Sequence, residues 1–225
     1  MSIRLLGIMI KAMGTQGALK KTADFMGSGG LRTIAYVSMD KLMQASENAE
    51  EKEWWEDVDL ALYGDKEVLK AAGVTSQSRI REVEENVYLR ALLKRIVKNH
   101  YETFLLADTE ENVRLLEEEL RELEGSLTVT GRDATERYTQ AKESLINNIN
   151  VVAPRVILSR IPYPEGISLM YQYHRYLNGD IWVALPQILI GEYTDRWYSR
   201  ILYGLRSRLF RKKLSSFNRQ SPSSK

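Results

Sequence analysis

Residues 75–127 read TSQSRIREVEENVYLRALLKRIVKNHYETFLLADTEENVRLLEEELRELEGSL, and the fold class turns on how this stretch is parsed. Ile80, Val83, Val87 and Ala91 recur at helical spacing. Leu89, Leu92, Leu93, Ile96, His100 and Phe104 form a second stripe. Asp108 followed by Glu111 makes a capping-box pair, which predicts a fresh helix start. Val113, Leu116, Leu120, Leu123 and Leu127 then alternate three and four apart. That seam covers about two heptads, short of the roughly three or four that argue coiled coil. An antiparallel helical hairpin is the plainer expectation.

Toward the N-terminus, Asp65 can cap a short helix that turns Val68 and Leu69 inward and closes at Gly73. Ser46 to Asp59 is acidic, interrupted by Trp54-Trp55. Adjacent tryptophans cannot share one helix face, so one is expected in the core and the other at a surface. Leu31 to Met43 fits a helix better than a strand, and Gly27-Ser28-Gly29-Gly30 before it is a hinge or turn. Met1–Met13 is apolar apart from Arg4 and Lys11. It reads as a helix that docks through Leu5, Leu6 and Met9 on the body or on a partner.

Toward the C-terminus, Asp133 and Glu136 predict a helix through about Asn150, which Pro154 ends. Ile167 to Gly191 carries two readings. Ile167, Leu169, Tyr171 and Tyr173 alternate with polar neighbours, and Asn178-Gly179 is a strong hairpin turn. Alternatively one helix ends at Asn178-Gly179 and Asp180 caps the next. Asp195 to Leu214 returns to helix, with Trp197, Ile201, Leu205 and Leu209 on one face and Phe210 widening it. The fold class expected is therefore mainly α, a helical bundle containing an antiparallel helical hairpin, with a short β-hairpin near residues 167–191 as the local alternative. Four segments follow: an apolar docking segment (1–44), an acidic helical body (45–153), an aromatic-rich region ending in a basic amphipathic helix (154–214), and a polar tail expected to be disordered (215–225).

Charge is distributed unevenly behind a net +2. Residues 45–125 hold 21 acids against 11 Lys/Arg, whereas residues 196–225 hold nine Lys/Arg and no acid. There is no cysteine, which removes disulfides and thiolate chemistry and suits a reducing compartment. No apolar run reaches the roughly 20 residues that a membrane-spanning helix needs. Lys11 interrupts the first apolar run too early for a signal peptide.

Catalytic constellations are hard to assemble from this chain. His100 and His174 are the only histidines and lie far apart, so no metal site is expected. His100 reads as a core histidine and His174 as part of a tyrosine-rich layer. Ser38-Met39-Asp40-Lys41 has the Ser-x-x-Lys spacing of penicillin-recognising enzymes, but their companion Ser-Asp-Asn and Lys-Thr-Gly motifs are missing. Gly14 to Thr22 has the composition of a phosphate loop with the wrong spacing. What rises above background is the basic end, where Arg206, Arg208, Arg211, Lys212 and Lys213 surround an apolar core that includes Trp197 and Phe210. Such a segment can meet nucleic acid or an anionic membrane surface. The function expected is a non-enzymatic structural or assembly subunit of a viral, phage or matrix-like complex, intracellular or built into a particle there. It would need no cofactor and would bind itself or other protein subunits. A nucleic-acid-binding protein using the C-terminal Arg/Lys cluster is the alternative.

Overall fold

A computed structural model describes residues 2–187 and 197–220. Its centre is an eight-stranded sheet, not a helical bundle. In chain order the strands are β1 (Ser2–Leu5), β2 (Ile8–Met13), β3 (Arg32–Val37), β4 (Leu60–Tyr63), β5 (Thr103–Ala107), β6 (Gly131–Ala134), β7 (Val156–Arg160) and β8 (Ile181–Ala184). Their spatial order is β1-β2-β4-β3-β8-β7-β5-β6. Only the β1–β2 pair is antiparallel, and every other neighbouring pair is parallel.

Among the described residues ten α-helices accompany the strands: α1 (Thr15–Phe25), α2 (Met39–Ala45), α3 (Ala49–Asp57), α4 (Lys66–Ala71), α5 (Gln77–Glu84), α6 (Val87–Lys98), α7 (Glu110–Leu123), α8 (Lys142–Val152), α9 (Glu165–Tyr173) and, after the last strand, α10 (Trp197–Gln220). One apolar layer joins α1, α6 and α7 to Ile34, Tyr36 and Leu105 of the strands. The other joins α2, α3, α8, α9 and α10 to Ala35, Val37, Leu106 and Ile157. Alternate strand residues thus point to opposite layers, both dry, as a parallel sheet between helices requires.

The mainly α expectation fails because the strands are short and buried on both faces. All five residues of β5, Thr-Phe-Leu-Leu-Ala, are buried. Such a run carries no period-2 alternation and cannot be told from buried helix by pattern. The supposed stripe through Phe104 therefore crosses a boundary. α6 ends at Lys98, and His100 turns the chain with φ +52°, exposed and not in the core. The expected helical hairpin is instead two crossover helices on one face of the sheet, separated by β5.

Other expectations are corrected for similar reasons. Met1–Met13 is not a docking helix but a hairpin, turned by Leu6 and Gly7, both at positive φ. Leu31–Met43 divides into β3 and α2. Over 167–187 each reading is met by half and no hairpin forms: a helix, α9, precedes Asn178-Gly179 and a strand, β8, follows it, pairing with β3 and β7 and not with its predecessor, while 188–191 lie outside the described residues. Asp133 lies in β6, and its helix starts only at Lys142. α10 continues to Gln220, so residues 215–220 are helical.

Candidate active site

In an open parallel sheet, ligands gather outside the carboxyl ends of the strands, where neighbouring strands send their helices to opposite faces. Here β3 leads into α2 in one layer, while the adjacent β4 leads through α4, whose Val68 packs in that same layer, and then through α5 to α6 in the other.

The two exits are bound tightly together. Gly64 donates its N–H to the Val37 carbonyl at 2.8 Å, and a Cβ on Gly64 would lie 2.8 Å from the same oxygen. Only glycine permits that approach. Asp65 then clasps both strand ends. One carboxylate oxygen accepts the Met39 N–H at 2.7 Å and the other accepts the Val68 N–H at 2.8 Å, capping α4. Burial pushes the Asp65 carboxyl above the ordinary aspartate value. The backbone N–H groups of Val68, Met39 and Glu67 pull it down, and the charge of Asp40 adds to the rise.

Two features flank the end of β3. In one layer Ser38 caps α2, and Lys41 folds back so that its Nζ donates to the Tyr36 carbonyl at 2.8 Å, 6.0 Å from the centre of the Trp55 ring. Burial brings the Lys41 ammonium down to about 8. In the other layer a small cleft of about 30 Å³ opens among Gly14, Tyr36, Tyr63, Arg79, Asn86 and Tyr88. The Tyr36 hydroxyl donates to Asn86 Oδ1 at 2.8 Å, and burial holds the phenol well above its usual range, with Tyr88 adding to the rise. Arg79 pairs with Glu82 at 2.9 Å. Beside it α1 starts after Gly14, which lines the cleft and has no side chain with which to cap the helix.

The opening above β5, β6 and β7 has the opposite character. Thr109 Oγ1 accepts the Asn112 N–H and Glu136 accepts the Glu110 N–H, so the start of α7 is closed by its own chain. Arg160 is buried and committed to Glu119 at 2.7 Å and to the Asn112 carbonyl. Asp133 accepts from the Tyr138 hydroxyl and pairs with Arg137. The β3–β4 end carries Lys41 and Arg79 beside the carboxylates of Asp65 and Glu82. Among the described residues no cluster of three or more His, Asp or Glu could hold a metal ion.

The residues expected at the basic end divide into two sets. Arg206 pairs with Asp40, Arg211 with Glu67, and Lys213 with Glu47 as well as the Met43 carbonyl. These bind α10 across α2 and the start of α4. Arg208 and Lys212 are exposed and have no side-chain partner among the described residues. Phe210 is 0 % exposed and anchors the helix in the core. Leu5 and Leu6 are buried within the chain's own core, while Met9 is half-buried and its N–H donates to Glu56. The Trp197 side chain lies outside the described residues. The sequence reading missed Asp65 as more than a helix cap and set Lys41 aside. The one available signal was Ser38-x-x-Lys41, which here is a helix cap and a lysine turned back on its strand.

No curated protein matches the chain. Residues 3–189 match the family model described as "Glycosyl transferase WecG/TagA/CpsF family". That span contains nearly all of the sheet, from within β1 to the end of β8. It overturns the expectation of a non-enzymatic structural subunit of a virion or matrix-like layer, since the family is one of glycosyltransferases, which are enzymes. The physical reason for the miss is that the groups at the β3–β4 end are contributed by residues 14, 38–41, 64–65 and 79–88, none of which forms a local motif. The chain belongs to the glycosyl transferase WecG/TagA/CpsF family.

Proposed function

We propose that the chain transfers a glycosyl group from a donor with an anionic leaving group to an acceptor hydroxyl, at the carboxyl ends of β3 and β4. The observation that carries the reading is the family match over the sheet, combined with the crevice at the carboxyl ends of β3 and β4, the place where an open parallel sheet takes its ligands. In such a transfer the acceptor oxygen bonds to the anomeric carbon. The bond from that carbon to the leaving-group oxygen breaks, and the leaving group keeps the electron pair. The acceptor proton needs a base. Asp65 is the carboxylate at the exits of β3 and β4 whose proton affinity is raised, which suits it to take that proton.

The test is release of nucleoside diphosphate from a panel of nucleoside-diphosphate sugars, with and without hydroxyl acceptors, by the full chain. Donor binding and turnover by the wild type are expected. Asp65→Asn should keep donor binding and lose turnover. Failure of the wild type to bind any donor in the panel overturns the proposal.

A second reading concerns the outer side of α10. Leu209 is 57 % exposed between Arg208 and Lys212. Among the described residues an exposed leucine lies between two exposed cations, an arrangement that fits an anionic lipid surface. Among the described residues no helix is long and apolar enough to cross a membrane.

A further inference from the structure

We infer that the outer faces of α6 and α7 form a self-complementary docking surface, on which a second copy of this chain sits with its α7 against α6 and its α6 against α7. The contact is independent of the transfer chemistry at the carboxyl ends of β3 and β4.

Both helices lie in one layer and turn their apolar sides inward. α6 buries Tyr88, Leu89, Leu92, Leu93 and Ile96, and α7 buries Val113, Leu116 and Leu120. At 3.6 residues per turn, the positions opposite those stripes make one outward row on each helix. On α6 the row is Arg90, Lys94 and Lys98, all exposed. On α7 it is Glu111, Leu115, Glu118 and Glu122, also exposed, and Leu115 leaves 43 % of its surface in water.

The two rows are unpaired within the chain. Among the described residues Arg90, Lys94 and Lys98 have no carboxylate partner, and Arg90 donates only to the Glu85 carbonyl. Glu111, Glu118 and Glu122 likewise have no cationic partner there. The acids of α7 that face sideways behave differently: Glu117 holds Arg121 and Arg132, and Glu119 holds Arg160. Arg114, exposed beside the acidic row, offsets part of its charge and leaves it net acidic.

Opposite signs on two helices of one layer suit a two-fold contact. α6 leads into β5 and α7 leads out of it, so both run antiparallel to the parallel strands and point the same way. A two-fold axis along the surface between them lays each α6 on the α7 of the other copy, in the same direction. The rows match in length, about 12 Å from Arg90 to Lys98 and about 16 Å from Glu111 to Glu122. The cations of one copy then meet the acids of the other, Leu115 is covered, and every pair occurs twice. Such complementarity sets orientation and encounter rate more than affinity, and each exposed ion pair is worth roughly 0–1 kcal/mol. A footprint of two helices with one leucine at its centre falls toward the low end of specific interfaces, below about 1,200 Å². The dimer is therefore weak, rapidly exchanging and sensitive to salt.

Sedimentation velocity of the full chain, over a concentration series at about 0.01 M salt, tests the assignment. The mass of wild type should rise toward that of a dimer with concentration and return to monomer at about 1 M salt, where screening acts within about 3 Å. Lys94→Glu with Lys98→Glu should weaken association about tenfold or more, and so should Glu118→Lys with Glu122→Lys. Two further samples separate a lost contact from a lost fold. An equal mixture of the two double variants should dimerise, because the reversed α6 of one meets the reversed α7 of the other. A chain carrying all four changes should dimerise with itself. A wild type that stays monomeric throughout the series overturns the assignment. So does association that survives 1 M salt or ignores both reversals, since it belongs to another surface, and so does a mixture that stays monomeric where wild type dimerises.

Discussion

Replacing Lys41 by methionine should stabilise the protein at neutral pH. The folded state holds the Lys41 proton only to about 8, against the ordinary 10.5 of a solvated lysine, and burial is the cause. At about 1.4 kcal/mol per unit, keeping the ammonium charged in that position costs roughly 3 kcal/mol. Methionine has a similar length and no charge, but it leaves the Tyr36 carbonyl without its donor, a loss of about 1 kcal/mol. The net expectation is a gain of about 2 kcal/mol at pH 7, or roughly 4–8 °C in melting temperature for a chain of this size. The pH dependence fixes the sign. Between about 8 and 10.5 the unfolded chain binds the proton that the folded chain has lost, so wild-type stability rises with pH across that window. The advantage of the variant is therefore complete below pH 8, shrinks through pH 9, and turns to a deficit of about 1 kcal/mol once both states are neutral. The raised tyrosines, Tyr36, Tyr88 and Tyr163, are present in both proteins and cancel in the difference. Urea denaturation at pH 7, 9 and 10 measures it. A variant destabilised at pH 7, or an advantage unchanged at pH 10, refutes the picture of a buried ammonium without a counter-ion.

Gly64→Ala should cost about 1–3 kcal/mol in denaturant midpoint measurements, because the new Cβ meets the Val37 carbonyl at 2.8 Å and the exits of β3 and β4 must part; an unchanged midpoint means that the junction is loose. Phe210→Ala should cost about 3–5 kcal/mol and speed amide exchange in α10 more than in α7, since Phe210 is the fully buried anchor of the helix. Equal protection of the two helices in the variant counts against that anchoring role. In flotation with anionic vesicles, Arg208→Ala with Lys212→Ala and Leu209→Ser should each reduce binding; loss with the charge pair alone, or with neither, removes the lipid-surface reading.

Several features were legible in the sequence because their causes are local. The Asp65 cap and the Gly73 stop are present as read, Gly73 at φ +80°. A helix does start after Asp108, with Thr109 as its cap, and it buries Val113, Leu116 and Leu120. Of the adjacent tryptophans, Trp55 is buried and Trp54 is half-buried against Tyr171. Side chains three and four apart, or a cap and its N–H, meet within one turn whatever surrounds them.

The strands were illegible for the converse reason. Ile34, Leu105, Leu158 and Val183 become strand residues by pairing with neighbours dozens of positions away, and burial on both faces removes the alternation that would have marked them. Charge behaved likewise. The acidic middle and basic end of the chain looked prepared for separate partners, yet Glu47–Lys213 and Glu67–Arg211 join them within one molecule. Sequence determined which residues could cap, turn and line a helix face. Only the tertiary structure brought the ends of β3 and β4 side by side, clasped them with Asp65, and left the Lys41 ammonium there without a counter-ion, because those neighbours are set by sheet order and not by spacing along the chain.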